Sequence, residues 1–323
     1  MNNGKLLTFG IQHLLAMYTG AILVPLIIGG ALGMTPEQIT YLIAIDLFMC
    51  GVATLLQVWK GKFFGIGLPV VLGCTFTAVT PIISIGLEFG IGAIYGSIIA
   101  SGFIIILVSG FFGKIVKFFP PIVTGSVVTI IGISLLSTAL NNVAGGQGSP
   151  TFGAKENIIL AAITLVVIVV VYRFTKGFMR AIAILLGMIV GTVAGLLMGV
   201  TNFDVVADAG IFHMVQPFYF GAPEFLLEPI LVMTLIGMVS LVESTGVYYA
   251  LSDITKTKID SKDLAKGYRS EGLASIIGGI FNAFPYTTYS QNAGLVKMTG
   301  VKERSVVLVT GILLIVLGFL PKF

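Results

Sequence analysis

A run of seven polar side chains interrupts an otherwise apolar chain. It extends from Tyr286 to Asn292 within the sequence FPYTTYSQNAG, and every residue in it carries a hydroxyl or an amide. Apolar sequence on both sides puts these groups at bilayer depth, where polar groups without a partner are costly. Pro285 removes a backbone donor and disfavours helical geometry in the residue before it, so we expect extended chain and then a short helix near Ser290.

The side chains of this run suit a flat, uncharged ligand that forms hydrogen bonds. Gln291 offers a carbonyl acceptor and an amide donor side by side, which matches the amide-like edge of a purine or pyrimidine. Ser290 can cap the short helix, and Tyr289, Phe284 and Phe76 are candidates for stacking on a flat ring. An inorganic anion would call for Arg or Lys, and this stretch contains only Lys297.

Acidic residues within apolar stretches form a second set of candidates, because a carboxyl in the membrane is costly and usually functional. Glu243 shares one helical face with Ser240 and Ser244, so we expect an inward-facing polar stripe. Glu243 is expected to accept hydrogen bonds from the ligand and to bind and release a proton; the alternative is a purely structural carboxyl. Glu271 is expected near the cytoplasmic boundary, either paired with a neighbouring cation or coupling protons. For Asp46 two interpretations stay open, a water-exposed helix face and a functional site.

Three further polar residues are interpreted as supports of the site. Gln12 and His13 lie in the first apolar stretch, and the imidazole is expected to anchor a neighbouring span rather than contact the ligand. Asn292 points away from Gln291 on a helix and is expected to hold the site together.

A second interrupted stretch lies early in the chain. The sequence GLPVVLGCTFT at residues 67–77 contains a proline, a β-branched run and then polar residues, as the later stretch does. Thr75 lies six residues after Pro69, and Gln291 lies six residues after Pro285, so these positions are matched and Thr75 is a further candidate for binding the ligand. Paired interrupted spans in the two halves of a chain point to a transporter site at a repeat interface.

Composition identifies the class of protein. The chain has 323 residues, of which 56% are hydrophobic and 10% charged, and its mean hydropathy is +1.05. These values exclude a water-soluble domain and predict an all-α membrane protein with many spans. The net charge of +4 is spread over short loops, which argues against binding to nucleic acid. The sequence has no phosphate-binding Gly-rich motif, so we expect neither ATP-driven transport nor a cofactor.

The sequence predicts eleven spans in the cell membrane, counted as apolar stretches of roughly 20 residues. They are Leu6–Gly30, Thr40–Val58, Phe64–Ile85, Ile91–Phe112, Pro121–Leu140, Ile158–Phe174, Ala181–Gly199, Leu226–Ala250, Gly267–Phe281, Pro285–Thr299 and Ser305–Leu320. With the N-terminus in the cytoplasm, all 18 Lys and Arg except Lys155, Lys297 and Lys322 fall in cytoplasmic loops, as the positive-inside rule requires. One of these loops, Ser252–Arg269, is expected to be solvated.

Several motifs together resemble one family. The sequence QNAGLVKMTG at Gln291–Gly300 resembles the signature of the nucleobase–ascorbate transporters, also called the nucleobase:cation symporter family, and the preceding FPYTTYS resembles their purine branch of xanthine and uric acid permeases. Further matches are Gln12-His13, FPPIVTG at residues 119–125, and ESTG from Glu243. The matches are spread along the whole chain.

The resemblance implies an inverted-repeat fold of two sevens, fourteen spans in all, of which about eleven are present here. Spans one to four and eight to eleven would form a core, which corresponds to residues 1–114 and 201–323. The gate would contain residues 115–200, and the last gate spans, twelve to fourteen, are expected to be missing from this chain. Two of the core spans would be interrupted by short extended segments.

The resemblance also implies import of a purine nucleobase by proton symport, in a homodimer that alternates access by moving core against gate. Glu243 and Gln291 would hydrogen-bond the base, and backbone near Phe76 and Ser290 would complete its edge. Gln at position 291, where uracil carriers usually have Glu, favours xanthine and then urate. Protons are expected as the coupling ion ahead of Na⁺, and Glu243 and Glu271 are the candidates for proton coupling.

Two alternatives accompany this prediction: a carrier of uracil or another nucleobase, and an anion carrier or channel of related architecture. The scarcity of basic residues near the interrupted stretches argues against an anion. An enzyme is not expected, because the sequence offers neither a set of metal ligands nor a nucleophile with a base partner.

Overall fold

The structure is a computed structural model that describes residues 2–115, 126, 129–130, 132–133, 135–146, 149, 151–201 and 215–320. Part of the predicted fifth span, Pro121–Leu140, and the FPPIVTG motif at residues 119–125 lie outside the described residues.

The described part of the chain is mainly helical. Its helices are α1 (Asn3–Ala31), α2 (Pro36–Val58), α3 (Val79–Phe89), α4 (Ile91–Ile115), α5 (Leu136–Val143), α6 (Lys155–Phe174), α7 (Phe178–Ala181), α8 (Ala183–Leu197), α9 (Leu227–Thr255), α10 (Ser261–Ile280), α11 (Ser290–Thr299) and α12 (Arg304–Gly318). Two short strands, β1 (Leu72–Cys74) and β2 (Tyr286–Thr288), precede a 3₁₀ turn at Phe76–Ala78 and helix α11 respectively.

Helix lengths agree with a multi-pass membrane protein. Among the described residues, α1, α2, α4, α6 and α9 are long and apolar enough to cross a membrane. Shorter apolar helices cover Phe76–Phe89, Ala183–Leu197 and Arg304–Gly318. The total of eleven spans and the treatment of the two strand-containing stretches as interrupted spans stay predictions.

The charged segment between α9 and α10 differs from the prediction of a solvated loop. Helix α9 continues to Thr255, and α10 begins at Ser261, so most of Ser252–Arg269 is helical. The reason is local. The Asp260 side chain accepts hydrogen bonds from the backbone N–H groups of Lys262 and Asp263, and the Asp263 carboxylate accepts one from the Asp260 N–H. This capping box starts the helix before the apolar stretch begins.

Close helix packing depends on glycines that face each other. A Cβ on Gly102 of α4 would lie 2.7 Å from the carbonyl oxygen of Gly272 in α10, and the reverse distance would be 2.8 Å. A Cβ on Gly51 of α2 would lie 2.5 Å from the carbonyl oxygen of Gly311 in α12. Contact of this kind is how helices associate in lipid, where the hydrophobic effect gives no driving force between them.

The strands form an antiparallel pair that joins the two halves of the chain. Gly73 lies opposite Thr287 at the centre of the pair. The ladder is extended on both sides, because the N–H of Thr75 donates to the carbonyl of Pro285 and the N–H of Tyr289 donates to that of Val71, at 2.9 and 3.0 Å. The backbone is thus extended before the 3₁₀ turn and before α11, and both begin next to the same small sheet.

Helices α6 and α8 pack mainly against each other, and α6 has no buried residue. Most other described helices pack around the strand pair: α10 on α4, α12 on α2, and α9 on α4, β2 and α11. The division into core residues 1–114 and 201–323 and gate residues 115–200 stays a prediction.

Candidate binding site

One face of α9 contacts the segment that follows β1. The Thr75 and Ser240 hydroxyls share a hydrogen bond of 3.3 Å. One helical turn further on, the Thr77 hydroxyl donates to Oε2 of Glu243 at 3.4 Å. The polar stripe predicted on this helix therefore faces the residues that directly follow β1. We call residues 72–77, which contain β1, the first strand segment, and residues 286–291, which contain β2, the second.

The same face also contacts β2. Ser244 shares a hydrogen bond of 3.0 Å with the Thr287 hydroxyl and accepts a second, at 3.2 Å, from the backbone N–H of Thr288. Both strand segments are therefore attached to α9 at the neighbouring positions Glu243 and Ser244. The Glu243 carboxyl is thus held at the 3₁₀ turn by Thr77, while the next residue, Ser244, holds β2.

Solvent accessibility divides the predicted site residues into two groups. Ser290 and Gln291 are exposed, while Phe76, Glu243 and Gln12 are partly exposed. The buried group contains Thr75, Tyr289, Asn292, His13 and Glu271. Of these residues, Phe76, Glu243, Ser290 and Gln291 lie on or beside the strand segments with surface available to a ligand.

The strand register corrects the match between the two interrupted stretches. A two-fold axis through the Gly73–Thr287 pair relates Thr77, four residues after Gly73, to Gln291, four residues after Thr287. The match by distance from the prolines pairs Thr75 with Gln291, which is wrong by two residues. The proline rule fails because Pro285 lies closer to the centre of its strand than Pro69 does. Thr77 was not among the predicted site residues; the register and its hydrogen bond to Glu243 identify it.

Tyr289 lies inside the fold. Its side chain is 5% exposed, and its hydroxyl donates to the carbonyl of Cys74 at 3.0 Å. The ring packs so closely on Gly20 and Gly73 that a Cβ on either would lie within 3 Å of a ring carbon. In this position Tyr289 holds the strand pair against α1, and its stacking on a ligand stays a prediction.

Asn292 connects the start of α11 to α1. Its Nδ2 donates to the backbone carbonyl of His13 at 2.8 Å and lies 3.1 Å from the imidazole Nδ1. Because a carbonyl can only accept, the amide nitrogen must face it, so Nδ1 also accepts and the ring carries its proton on Nε2. His13 thus contacts the start of α11 as an acceptor and not through its ring N–H, and its role as a support of the site stays a prediction.

A double-mutant cycle on this contact is expected to reveal coupling. His13→Ala keeps the backbone carbonyl and removes only the ring, whereas Asn292→Ala removes the donor to both acceptors. The coupling energy is expected to be about 1 kcal/mol, since it isolates one buried hydrogen bond. Thermal unfolding of the single and double variants in detergent measures it, and strictly additive effects would contradict the contact.

Glu271 is buried rather than placed at a boundary. It is 2% exposed, and its carboxylate accepts a hydrogen bond from the Tyr248 hydroxyl, which in turn accepts one from Gln57. The expected pairing with a cation is wrong, because Arg269 donates to Ser109 and Lys266 to Asp263. Sequence reasoning missed Gln57 and Tyr248 because both contacts depend on how separate helices pack: Gln57 lies in α2, and Tyr248 lies in α9, the helix before α10.

Asp46 is also enclosed, so a wet helix face is excluded. It is fully buried beneath β2, where the Tyr286 hydroxyl donates to its carboxylate at 3.5 Å and the Cys50 thiol lies 3.6 Å away. The contact with Tyr286 ties Asp46 to the second strand, away from the accessible residues.

The accessible residues of the candidate site carry hydrogen-bonding groups. Among the described residues, no group of three or more His, Cys, Asp or Glu could hold a metal ion. Glu243 supplies an acceptor and Gln291 a paired donor and acceptor, each on a different element, and the exposed Ser290 is the first residue of α11.

Two solved structures share the fold of this chain. The transmembrane domain of the cyanobacterial bicarbonate transporter BicA superposes with a TM-score of 0.69 at 16% identity, covering 98% of this chain and 82% of that one. The structure of SLC26A9 superposes with a TM-score of 0.63 at 13% identity, covering 97% of this chain and 55% of that one.

The chain belongs to the permease family of xanthine and uric acid permeases, whose family model matches residues 4–323. It is 61% identical to the xanthine permease and 58% identical to the uric acid permease PucK of Bacillus subtilis, covering 99% and 98% of this chain and 73% and 74% of those proteins. It is 42% identical to the uric acid transporter UacT of Escherichia coli, over 100% of this chain and 67% of that protein. These findings confirm the family resemblance, the multi-pass membrane class and the expectation of a permease rather than an enzyme.

Proposed function

We propose that the protein imports a purine nucleobase, xanthine first and urate second, by proton symport across the cell membrane. The observation that carries the proposal is the attachment of both strand segments to one face of α9, beside Glu243. Relatives named as xanthine and uric acid permeases support the choice of substrate class.

The proposed site holds the base between the two helical turns. Glu243 accepts N–H bonds from the base, while the Gln291 amide pairs with an amide edge of the ring and Phe76 lies against its face. Backbone N–H groups at the start of the turns, near Phe76 and Ser290, bind the remaining acceptors. Thr77 holds the Glu243 carboxylate in place and is a further residue of the site.

Transport in this proposal combines protonation with movement of the core against the gate. A proton on Glu243 removes a charge from the membrane interior and so lowers the cost of carrying the loaded site across. Glu271 is the second proton-coupling candidate, reached through Tyr248. We further propose H⁺ rather than Na⁺ as the coupling ion, a homodimeric assembly and a cytoplasmic N-terminus, on the basis of the family and of the Lys and Arg distribution.

Uptake assays with several labelled substrates test this function. Cells that lack their own purine carriers and express the protein are expected to accumulate xanthine, with urate as competitor, and to lose accumulation when a protonophore collapses the gradient. Bicarbonate flux without xanthine uptake would instead favour the anion-carrier alternative. Bicarbonate is a suitable test anion because this chain shares its fold with a bicarbonate transporter.

Substituting Gln291 with Glu is expected to shift the substrate preference towards uracil. The change removes the amide donor from the edge that faces the base, and the ratio of xanthine to uracil uptake should fall about tenfold, the effect of roughly one hydrogen bond. Competition between the two labelled bases measures it. Gln38→Glu in the capping box of α2 is the matched control, because Glu serves equally at that position. An unchanged ratio in Gln291→Glu would remove Gln291 from the site.

A further inference from the structure

A cavity of about 380 Å³ lies outside the candidate binding site and is lined mainly by cations. Its lining residues are Lys62, Gly110, Lys114, Ser261, Lys262, Ala265, Lys266 and Arg269. We call this cavity the basic pocket.

Three segments distant in sequence build the basic pocket. Lys62 lies in the segment after α2, Lys114 lies in the last turn of α4, and the other cations lie in the first half of α10. The helices meet without a side chain at Gly113, where a Cβ would lie 2.7 Å from the carbonyl oxygen of Ser261. The end of α4 and the start of α10 are therefore fixed against each other, which fixes the spacing of their lysines.

Arg269 is held in position before any ligand binds. Its Nε donates to the Ser109 hydroxyl at 3.0 Å, and its guanidinium carbon lies 4.2 Å from the centre of the Phe63 ring. A Cβ on Gly110 would lie 3.8 Å from Nη2, so the glycine leaves that side of the guanidinium uncrowded. A pre-ordered guanidinium loses little conformational freedom when it binds an anion.

Acidic residues near the basic pocket are already engaged. Asp263 forms an ion pair of 3.2 Å with Lys266. Asp260 caps α10, and hydrogen bonds from backbone N–H groups, first that of Asp263, hold the pKa of Asp260 below its usual value. Among the described residues, Lys266–Asp263 is the only ion pair that involves any of the five cations. Positive charge thus exceeds negative charge in the basic pocket.

We propose that the basic pocket binds a phosphate-bearing anion, either the headgroup of an anionic phospholipid or free phosphate. Arg269 and the lysines supply the donors that phosphate oxygens accept. All five cations fall on the side of the membrane that the Lys and Arg distribution assigns to the cytoplasm, where anionic lipids concentrate and basic pockets between helices bind their headgroups. A bound anion would connect the segment after α2 to α4 and α10.

Purified protein in nanodiscs of phosphatidylcholine, with or without phosphatidylglycerol, tests the proposal. Native mass spectrometry is expected to retain phosphatidylglycerol on the wild type, and the lipid should raise the Tm. The double variant Lys62→Gln with Lys114→Gln should bind the lipid about 30-fold more weakly and lose the rise in Tm. Each lysine near an anionic surface contributes about 1 kcal/mol to binding, and the loss of two such contributions corresponds to this factor. Both lysines are exposed, so the Tm of the double variant in phosphatidylcholine alone should match that of the wild type.

The control and a second ligand separate the outcomes. Lys258→Gln with Lys302→Gln removes the same charge from the same predicted side, outside the basic pocket, and should retain the lipid. Titration of inorganic phosphate in phosphatidylcholine nanodiscs identifies the source: a rise in Tm only with phosphate, lost in the pocket variant, supports a free-phosphate site. Absence of any effect from lipid and phosphate, or equal losses in both double variants, would overturn the proposal.

Discussion

Glu243→Gln is expected to abolish accumulation of xanthine driven by a proton gradient. The substitution preserves the shape of the side chain and an oxygen that accepts from Thr77, but it removes the group that would bind and release the proton. It also replaces a charged acceptor by a neutral one, which weakens a hydrogen bond to the base by roughly 1–1.5 kcal/mol, or about 5- to 10-fold in affinity. Accumulation should therefore fall to background, with residual weak binding.

Two measurements distinguish this result from a folding defect. Uptake of labelled xanthine is recorded with an imposed pH gradient and after its collapse, and the amount and Tm of the variant in the membrane are compared with the wild type. Glu88→Gln, at an exposed position near the end of α3, is the matched control and should accumulate normally. Gradient-driven accumulation by Glu243→Gln would show that Glu243 is not the proton site and would leave Glu271 as the candidate.

The sequence predicted those features of the site that depend on local pattern. Pro285 and the polar run gave an extended segment followed by a helix that begins at Ser290, and the structure has β2 and α11 there. The spacing of Ser240, Glu243 and Ser244 predicted a single polar face, and all three bond to the strand segments. In both cases residues close in sequence determine the geometry, so periodicity and proline chemistry are sufficient.

Contacts between distant segments could not be read from the sequence. The register of β1 with β2 depends on which residues meet across the fold, and only the Gly73–Thr287 pairing makes Thr77 the counterpart of Gln291. The burial of Glu271 and Asp46 has the same cause. An isolated carboxyl near the end of an apolar stretch gives no indication that Tyr248 or Tyr286 will cover it.

The helix packing adds an observation that the sequence could not supply. Helix α2, before β1, packs on α12, which follows the second strand segment, while α10, before β2, packs on α4, which follows the first. A two-fold axis through the strand pair would interchange α2 with α10 and α12 with α4, and would so produce these two packing pairs. It supports the proposal of an inverted repeat and places the strand pair at the centre of that relation.

The strand pair should accordingly tolerate no added side chain at its centre. In Gly73→Ala, the new Cβ would lie 2.4–2.8 Å from three atoms of the Tyr289 ring. The ring cannot move aside easily, because its hydroxyl donates a hydrogen bond to the Cys74 carbonyl and the same end of the ring also packs on Gly20. Overpacking of this kind costs about 1–3 kcal/mol. Because Tyr289 immediately precedes α11, the strain should also displace Ser290 and Gln291.

Gly73→Ala is therefore expected to lower the Tm and to reduce xanthine uptake at least about tenfold, since a displaced Gln291 loses a hydrogen bond of roughly 1.4 kcal/mol. Gly30→Ala in α1 is the matched control, because a Cβ there meets nothing within 4 Å, and it should behave as the wild type. Tyr289→Phe separates the two effects: it removes the hydroxyl bond to Cys74 but keeps the ring, so the loss of stability should be smaller. Wild-type uptake and Tm in Gly73→Ala would mean that the strand pair is loose enough to absorb a methyl group, and that the position of Gln291 does not depend on it.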